Sequence, residues 1–181
     1  MTADIGIMPQ LTHHLEEVRE IAAAPDALFA RLDDPASLAI HMTGSSWMMG
    51  GGRMEYLLDK QRGTAVGSRV TIIGSAFGFK IQVEEVVVEH EPPRRKRWRT
   101  EGVQRLLIIR AYEMGFEIEP LSLGSRLRVW NHYALPDTFL GRFLGRLFAG
   151  FYARWCVGRM AGDAVRTFGS RLRSTARHEH R

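Results

Sequence analysis

The sequence has little cysteine and no cluster of metal-binding residues. Cys156 is the single cysteine among 181 residues, which excludes an internal disulfide framework. The closely spaced Cys and His ligands of a structural zinc site are missing as well, so we expect no metal and no other cofactor. With 45% hydrophobic residues, the chain has the composition of one domain with a sizeable core, and its cysteine usage favours a reducing, cytoplasmic setting.

Export signals and long hydrophobic runs are also lacking. The first 20 residues have no basic start, continuous apolar stretch or small-residue cleavage site, so no signal peptide is expected. The most apolar region, 139–157, is interrupted by Arg142, Arg146 and Arg154. Each of these is costly at the centre of a bilayer, and we therefore expect no stable membrane insertion.

The net charge of +5 is concentrated in the C-terminal part of the chain. Residues 138–181 contain nine arginines against Asp163 and Glu179, a balance of +7, which leaves −2 for residues 1–137. A solvated helix face and a basic tail account for this asymmetry. No helix-turn-helix, zinc finger or aromatic RNA-binding motif accompanies it, so no nucleic-acid partner is expected.

The order of predicted elements is strand, short helices, a run of strands and one long helix. A strand is predicted at 15–22, a helix at 25–34, a second short helix at 35–41 and a glycine-rich loop at 43–53. Six further strands are predicted at 53–59, 67–74, 79–90, about 95–102, 106–119 and 125–135. A helix at about 137–172 follows Pro136. We expect a polar leader at 1–14, one domain at 15–173 and a frayed basic tail at 174–181.

Three stretches of the sequence resemble the START-like (SRPBCC) superfamily and its polyketide cyclase/dehydrase-like branch. They are REIAAAPDALFARLDDP, VEEVVVEHEPPRRKRWRTEG and GFEIEPLSLGSRLRVWNHYAL. The resemblance covers roughly residues 15–170. It implies an α+β helix-grip fold, in which a curved antiparallel sheet of six to seven strands wraps around the long C-terminal helix, with two short helices after the first strand. It specifies a fold better than a reaction, so function must be inferred from the site.

Helical periodicity predicts one apolar stripe on the long helix. With Phe143 taken as its centre, Leu147, Gly150 and Val157 fall on this stripe, and Arg154 lies close to its centre. A buried guanidinium needs a carboxylate, backbone carbonyls or an anionic ligand. Arg154 is therefore a candidate anchor for the polar end of an apolar ligand, with an internal salt bridge as the alternative. Small residues such as Gly150 leave space for a ligand or allow close helix packing.

Strand alternation predicts which side chains face the helix. In the strand before the last, the inward set contains Arg110, Tyr112, Met114 and Phe116. The same alternation places Tyr56, Asn131 and Tyr133 inside, as ligand-binding groups or as satisfied polar groups of the core. His41 and Trp47 belong to the segment that borders the cavity mouth in related folds, where they are candidates for a lid.

Catalytic motifs are absent from the sequence. It has no GxSxG elbow, HExxH, P-loop or GxGxxG after a strand. Glu113, Glu117 and His132 are predicted to face outward, so His41 is the only candidate internal base and no catalytic residue is assigned. We expect the protein to bind, and to transport or sequester, a hydrophobic small molecule or lipid. The alternative is a cyclase or aromatase acting in the same cavity, which would require an internal ionisable pair.

A further class of partner is indicated by the predicted outer side of the long helix. Leu144, Phe148, Tyr152 and Trp155 are expected to project away from the sheet. Large apolar groups in this position need a cover, which the short helices, a second copy in a homodimer or a lipid headgroup region could provide.

Overall fold

The computed structural model describes residues 9–34, 54–76, 78–102, 104–106 and 108–176. It contains seven strands and two helices in this part of the chain. In chain order they are β1 (His13–Ile21), α1 (Pro25–Asp33), β2 (Met54–Leu58), β3 (Arg69–Ala76), β4 (Phe79–Glu91), β5 (Arg95–Thr100), β6 (Ala111–Leu121), β7 (Gly124–Ala134) and α2 (Phe139–Ala176). The predicted second short helix at 35–41, His41 and Trp47 lie outside the described residues.

All seven strands form one antiparallel sheet in the order β1-β7-β6-β5-β4-β3-β2. Strands β2 to β7 form a meander, since each of them pairs with the next strand in the chain. Gly124, the first residue of β7 after the β6–β7 turn, has a φ of 139°, and a Cβ there would lie 2.2 Å from the carbonyl oxygen of Ile21. The turn can thus pass directly over the end of β1, and the predicted α+β helix-grip architecture is confirmed.

Helix α1 forms as the sequence predicts. Pro25 occupies its first turn, where a missing N–H costs nothing. Leu28, Phe29 and Leu32 share one side of the helix and are buried. They join the main hydrophobic core, which also includes Phe116, Leu127 and Val129 of β6 and β7. This core closes the end of the sheet near α1.

Helix α2 packs against β1, β7 and α1 through small side chains. Ala149, Ala153, Ala161 and Ala164 are fully buried, together with Val157. At Gly145 a Cβ would lie 2.9 Å from both the Ile108 carbonyl oxygen and Leu135 Cδ2. The inward face of the helix therefore approaches the neighbouring backbone too closely for large residues.

The predicted orientation of α2 holds for Val157, which is buried as expected, but it is wrong for the first half of the helix. Phe143 and Leu147, taken as the sheet-facing centre, are each 57% exposed. Phenylalanine and leucine are more hydrophobic than alanine and glycine, so a prediction from hydrophobic periodicity places the large residues against the sheet. In the structure the row of small residues faces the sheet, because small side chains let the helix lie closer to the sheet. Gly150 is half-buried, and a Cβ added there would lie 3.7 Å from the Tyr133 hydroxyl.

Candidate functional site

The inner face of the sheet carries most of the side chains predicted to point inward. Phe116 is fully buried, and Asn131 and Tyr133 are almost so. Met114 and Tyr112 are half-buried and pack against the main core. Tyr56 is also half-buried and packs against a second cluster on β2, β3 and β4, formed by Met54, Val70, Ile72, Ile81 and Val83. The inward positions predicted for these six side chains agree with the structure.

Both predicted arginine anchors lie elsewhere. Arg110 is exposed and forms an ion pair with Asp137, because it precedes the first residue of β6 and the strand alternation does not reach it. Arg154 is exposed on α2 and does not lie on its buried face. The expectation that these two guanidinium groups face the cavity is therefore wrong.

A carboxyl group that the sequence reasoning missed lies on the inner face. Glu85 of β4 accepts a hydrogen bond from the Tyr112 hydroxyl of β6. These strands are separated by β5, and Glu85 is paired with Thr100 of that strand. The Thr100 hydroxyl in turn lies 3.2 Å from the Tyr112 backbone nitrogen. The small side chain of Thr100 lets the longer tyrosine reach across β5 to the carboxyl group.

The surroundings of Glu85 favour its neutral form. Burial raises the pKa of Glu85 to about 7, although the Tyr112 hydroxyl, the charge of Lys96 and the Trp98 side chain act in the opposite direction. Burial, and then the charge of Glu85, raise the pKa of Tyr112 well above its usual value. The carboxyl group thus changes protonation near neutral pH while the phenol keeps its proton.

Three more polar side chains complete this interior cluster. Tyr152 and Cys156 are one turn apart on α2, and each affects the pKa of the other. Burial raises the pKa of Cys156 to about 12, and the charge of Glu85 contributes. Burial also raises the pKa of Tyr56, again with a contribution from Glu85. Tyr56, Glu85, Tyr112, Tyr152 and Cys156 are named below the inner polar cluster. The sequence predicted that Tyr152 projects outward. This prediction is wrong, because the side of α2 that carries Tyr152 lies next to the buried row of small residues.

The inner polar cluster combines side chains of α2 with side chains from the opposite half of the sheet. The helix packs against β1 and β7, at one end of the sheet, whereas Tyr56 and Glu85 lie on β2 and β4. All five members of the cluster point inward and yet remain half-buried. Part of each side chain therefore stays accessible in the described part of the chain.

Asn131 adds an unusual polar atom to the interior. Its side-chain oxygen is buried and accepts no hydrogen bond from the described residues. A buried acceptor without a partner costs about 1–3 kcal/mol. Tyr133 is placed differently, between α2 and the ring of His13, which stacks on it at 5.1 Å. Asn131 is therefore the better candidate for a ligand contact.

A buried ion pair lies where α1 meets the sheet. Lys96 of β5 is 4% exposed and its ammonium nitrogen lies 2.6 Å from a carboxylate oxygen of Asp33. His90 lies 3.0 Å from the same carboxylate. These contacts join the last turn of α1 to β4 and β5, so the pair fixes the helix in place beside the inner polar cluster. Among the described residues no group of three His, Cys, Asp or Glu side chains could hold a metal ion.

Comparison with known proteins identifies the family. A family model described as polyketide cyclase / dehydrase and lipid transport matches residues 12–167. The chain belongs to this family. No curated protein matches the sequence. The predicted resemblance to the START-like superfamily is thereby confirmed, and the family is one of hydrophobic ligand-binding proteins.

Solved structures agree with this assignment at the level of the fold. TTHA0849 from Thermus thermophilus is 16% identical, with a TM-score of 0.60 over 86% of this chain and 98% of that one. Protein CV1439 from Chromobacterium violaceum is 18% identical, with a TM-score of 0.53 over 82% and 95%. Ara h 8.0201 is 12% identical, with a TM-score of 0.56 over 84% and 97%. At these identities the likeness concerns the fold alone.

For this member of the polyketide cyclase / dehydrase family, the sequence contained a signal that could have revealed Glu85. Positions 81, 83, 85 and 87 share one face of β4, and three of them are Ile81, Val83 and Val87. A single carboxylate in an otherwise apolar row is the exception that strand alternation can detect. The mixed run of glutamates and valines between 83 and 89 hid this exception, because both faces of the strand contain both residue types.

Proposed function

We propose that the protein binds an apolar small molecule between the sheet and α2, and that the inner polar cluster receives a carbonyl or hydroxyl group of this ligand. The observation that carries the proposal is the Glu85 carboxyl group. It lies on the apolar inner face, accepts a hydrogen bond from the Tyr112 hydroxyl and is half-buried. Sites for small molecules typically combine apolar walls with a few placed polar groups of this kind.

The chemistry of the cluster suits a neutral oxygen on the ligand. A protonated Glu85 can donate a hydrogen bond to a carbonyl, and an ionised one can accept a hydrogen bond from a hydroxyl. The walls on one side are Met54, Ile72 and Val83 of the second hydrophobic cluster. The predicted anchors Arg110 and Arg154 are both exposed, so the cluster favours an uncharged ligand.

Native mass spectrometry of freshly purified protein, followed by denaturing extraction, tests this proposal. We expect a stoichiometric apolar adduct carrying at least one carbonyl or hydroxyl group. Tyr112→Phe and Glu85→Gln should each reduce its occupancy, whereas Glu84→Gln, a change of the neighbouring carboxylate that pairs with Arg69, should retain it. Equal occupancy in all three variants would refute the role of the cluster.

A second candidate function is general acid–base catalysis on such a ligand. The observation that favours it is the internal Glu85–Tyr112 pair, because a carboxyl group with a pKa near 7 can take and return a proton at neutral pH. In a dehydration, Glu85 would take the proton next to a carbonyl and return it to the β-hydroxyl, whose carbon–oxygen bond breaks as the carbon–carbon double bond forms, so that water leaves. The products would be an enone and water.

An apolar β-hydroxyketone is the probe for this activity. We expect enone absorbance to appear with a rate that rises as the pH passes through about 7, since the ionised carboxylate is the base. Glu85→Gln should abolish the reaction and Glu84→Gln should not. Stoichiometric binding of the probe without turnover would leave binding as the function and refute catalysis of this reaction.

A further inference from the structure

The first four turns of α2 expose a row of large apolar side chains. Phe139, Phe143, Leu147 and Phe151 follow one another at intervals of four residues, and all four are more than half exposed. Four-residue spacing places them on one side of the helix, over a length of about 18 Å. We name these residues the apolar ridge. It lies about a quarter turn from the buried row of alanines, so the described parts of the chain do not cover it.

The ridge is accompanied by arginines that have no carboxylate partner. Arg142, Arg146 and Arg154 are exposed, and none of them forms an ion pair with a carboxylate of the described residues. From 138 to 162 the sequence contains four arginines and no acid. This side of the molecule is therefore both apolar and strongly positive.

A cleft beside the start of the helix gathers more positive charge. It has a volume of about 410 Å³ and is lined by Arg110, Arg142 and Arg146 together with His13. Its one acidic residue, Asp137, is already paired with Arg110. The cleft thus presents two unpaired guanidinium groups next to Phe139 and Phe143, which is the arrangement that an anion attached to an apolar chain would fit.

We propose that the apolar ridge and its arginines form a docking surface for an anionic phospholipid bilayer. The ridge would lie at the boundary between headgroups and acyl chains, and the arginines would contact lipid phosphates. A second copy of the chain fits this surface less well, because a two-fold contact would bring the unpaired arginines of the two copies together. Among the described residues no helix is long and apolar enough to cross a membrane, so the docking is peripheral.

Co-sedimentation with vesicles tests the proposal. We expect the wild-type protein to bind vesicles of phosphatidylcholine and phosphatidylserine but not phosphatidylcholine alone, and to be released by salt. Phe143→Asp/Leu147→Asp should abolish binding. Arg142→Ala/Arg146→Ala should weaken it about thirty-fold at low salt, since each cation near an anionic surface contributes roughly a fivefold gain in affinity.

Matched variants separate the surface from general properties of the protein. Phe79→Asp removes an aromatic side chain that is 60% exposed in β4, outside the ridge, and should bind vesicles as the wild type does. Arg94→Ala/Arg105→Ala removes the same charge elsewhere and should weaken binding much less than Arg142→Ala/Arg146→Ala. Equal losses in each matched pair would refute the assigned surface.

Two other outcomes would overturn the proposal. A dimer in light scattering that Phe143→Asp/Leu147→Asp dissociates would assign the ridge to a second copy of the chain. A large fall in the melting temperature of that variant would mean that the ridge is covered within its own chain. An unchanged melting temperature, a monomeric protein and lost binding to anionic vesicles are together the expected result.

Discussion

Replacing Glu85 with glutamine should make stability less dependent on pH. Burial raises the pKa of Glu85 to about 7 in the folded protein, against an ordinary value of 4.5. Between these two values the folded state keeps a proton that the unfolded chain has lost. The free energy of unfolding therefore falls as the pH rises through this interval, and the loss is complete above about pH 7. The difference of about 2.5 between the two pKa values corresponds to about 3 kcal/mol.

Glutamine has no such proton, so Glu85→Gln should gain stability relative to the wild type as the pH rises. Between about pH 5 and pH 8.5 we expect the gain to be about 2–3 kcal/mol, which is a large part of the 5–15 kcal/mol typical of a domain. Urea unfolding followed by circular dichroism at the two pH values measures it. Glu84→Gln provides the baseline for a carboxylate that is paired at the surface with Arg69. The reasoning is refuted if Glu85→Gln and wild type differ by the same amount at both pH values.

Three further predictions concern the supporting structure. Gly145→Ala should destabilise the protein by about 1–3 kcal/mol in urea unfolding, because its Cβ would meet the Ile108 carbonyl oxygen 2.9 Å away. Gly162→Ala should stabilise the protein by up to about 1 kcal/mol, because its Cβ would meet only the Arg166 side chain at 3.7 Å. Equal effects of the two substitutions would contradict this prediction. Cys156 should react with iodoacetamide at pH 8 about a thousandfold more slowly in the folded protein than in urea. The reason is that burial raises the pKa of its thiol from 9.0 to about 12. Similar rates in the two states would argue against burial of the thiol. Lys96→Met should lower the free energy of unfolding by about 3 kcal/mol, because it leaves Asp33 without its ammonium partner. Adding Asp33→Leu should recover much of this lost stability. No recovery in the double variant would show that the lysine acts through packing alone.

Local patterns in the sequence determined most of the architecture and half of the site. Alternation along β6 and β7 placed Phe116, Asn131 and Tyr133 inside, because a strand between two regular ladders has only two faces. Pro25 and the three buried residues after it fixed α1 in the same way. Each of these predictions depends only on residues that are neighbours in one strand or one helix.

Tertiary structure decided the orientation of α2 and, with it, the chemistry of the interior. The row of Ala149 and Ala153 faces the sheet because close approach of the helix gained more than burial of Phe143 would have, a comparison that requires knowing the opposing surface. This orientation exposes Arg154 and directs Tyr152 inward.

The meeting of Glu85 and Tyr112 depends on the same kind of information. The two residues are 27 positions apart and meet across β5 only because the register places Thr100 between them. The sequence by itself determined which residues could face the cavity. Strand register and the closeness of helix packing, which act between segments distant in the chain, decided which of them meet there.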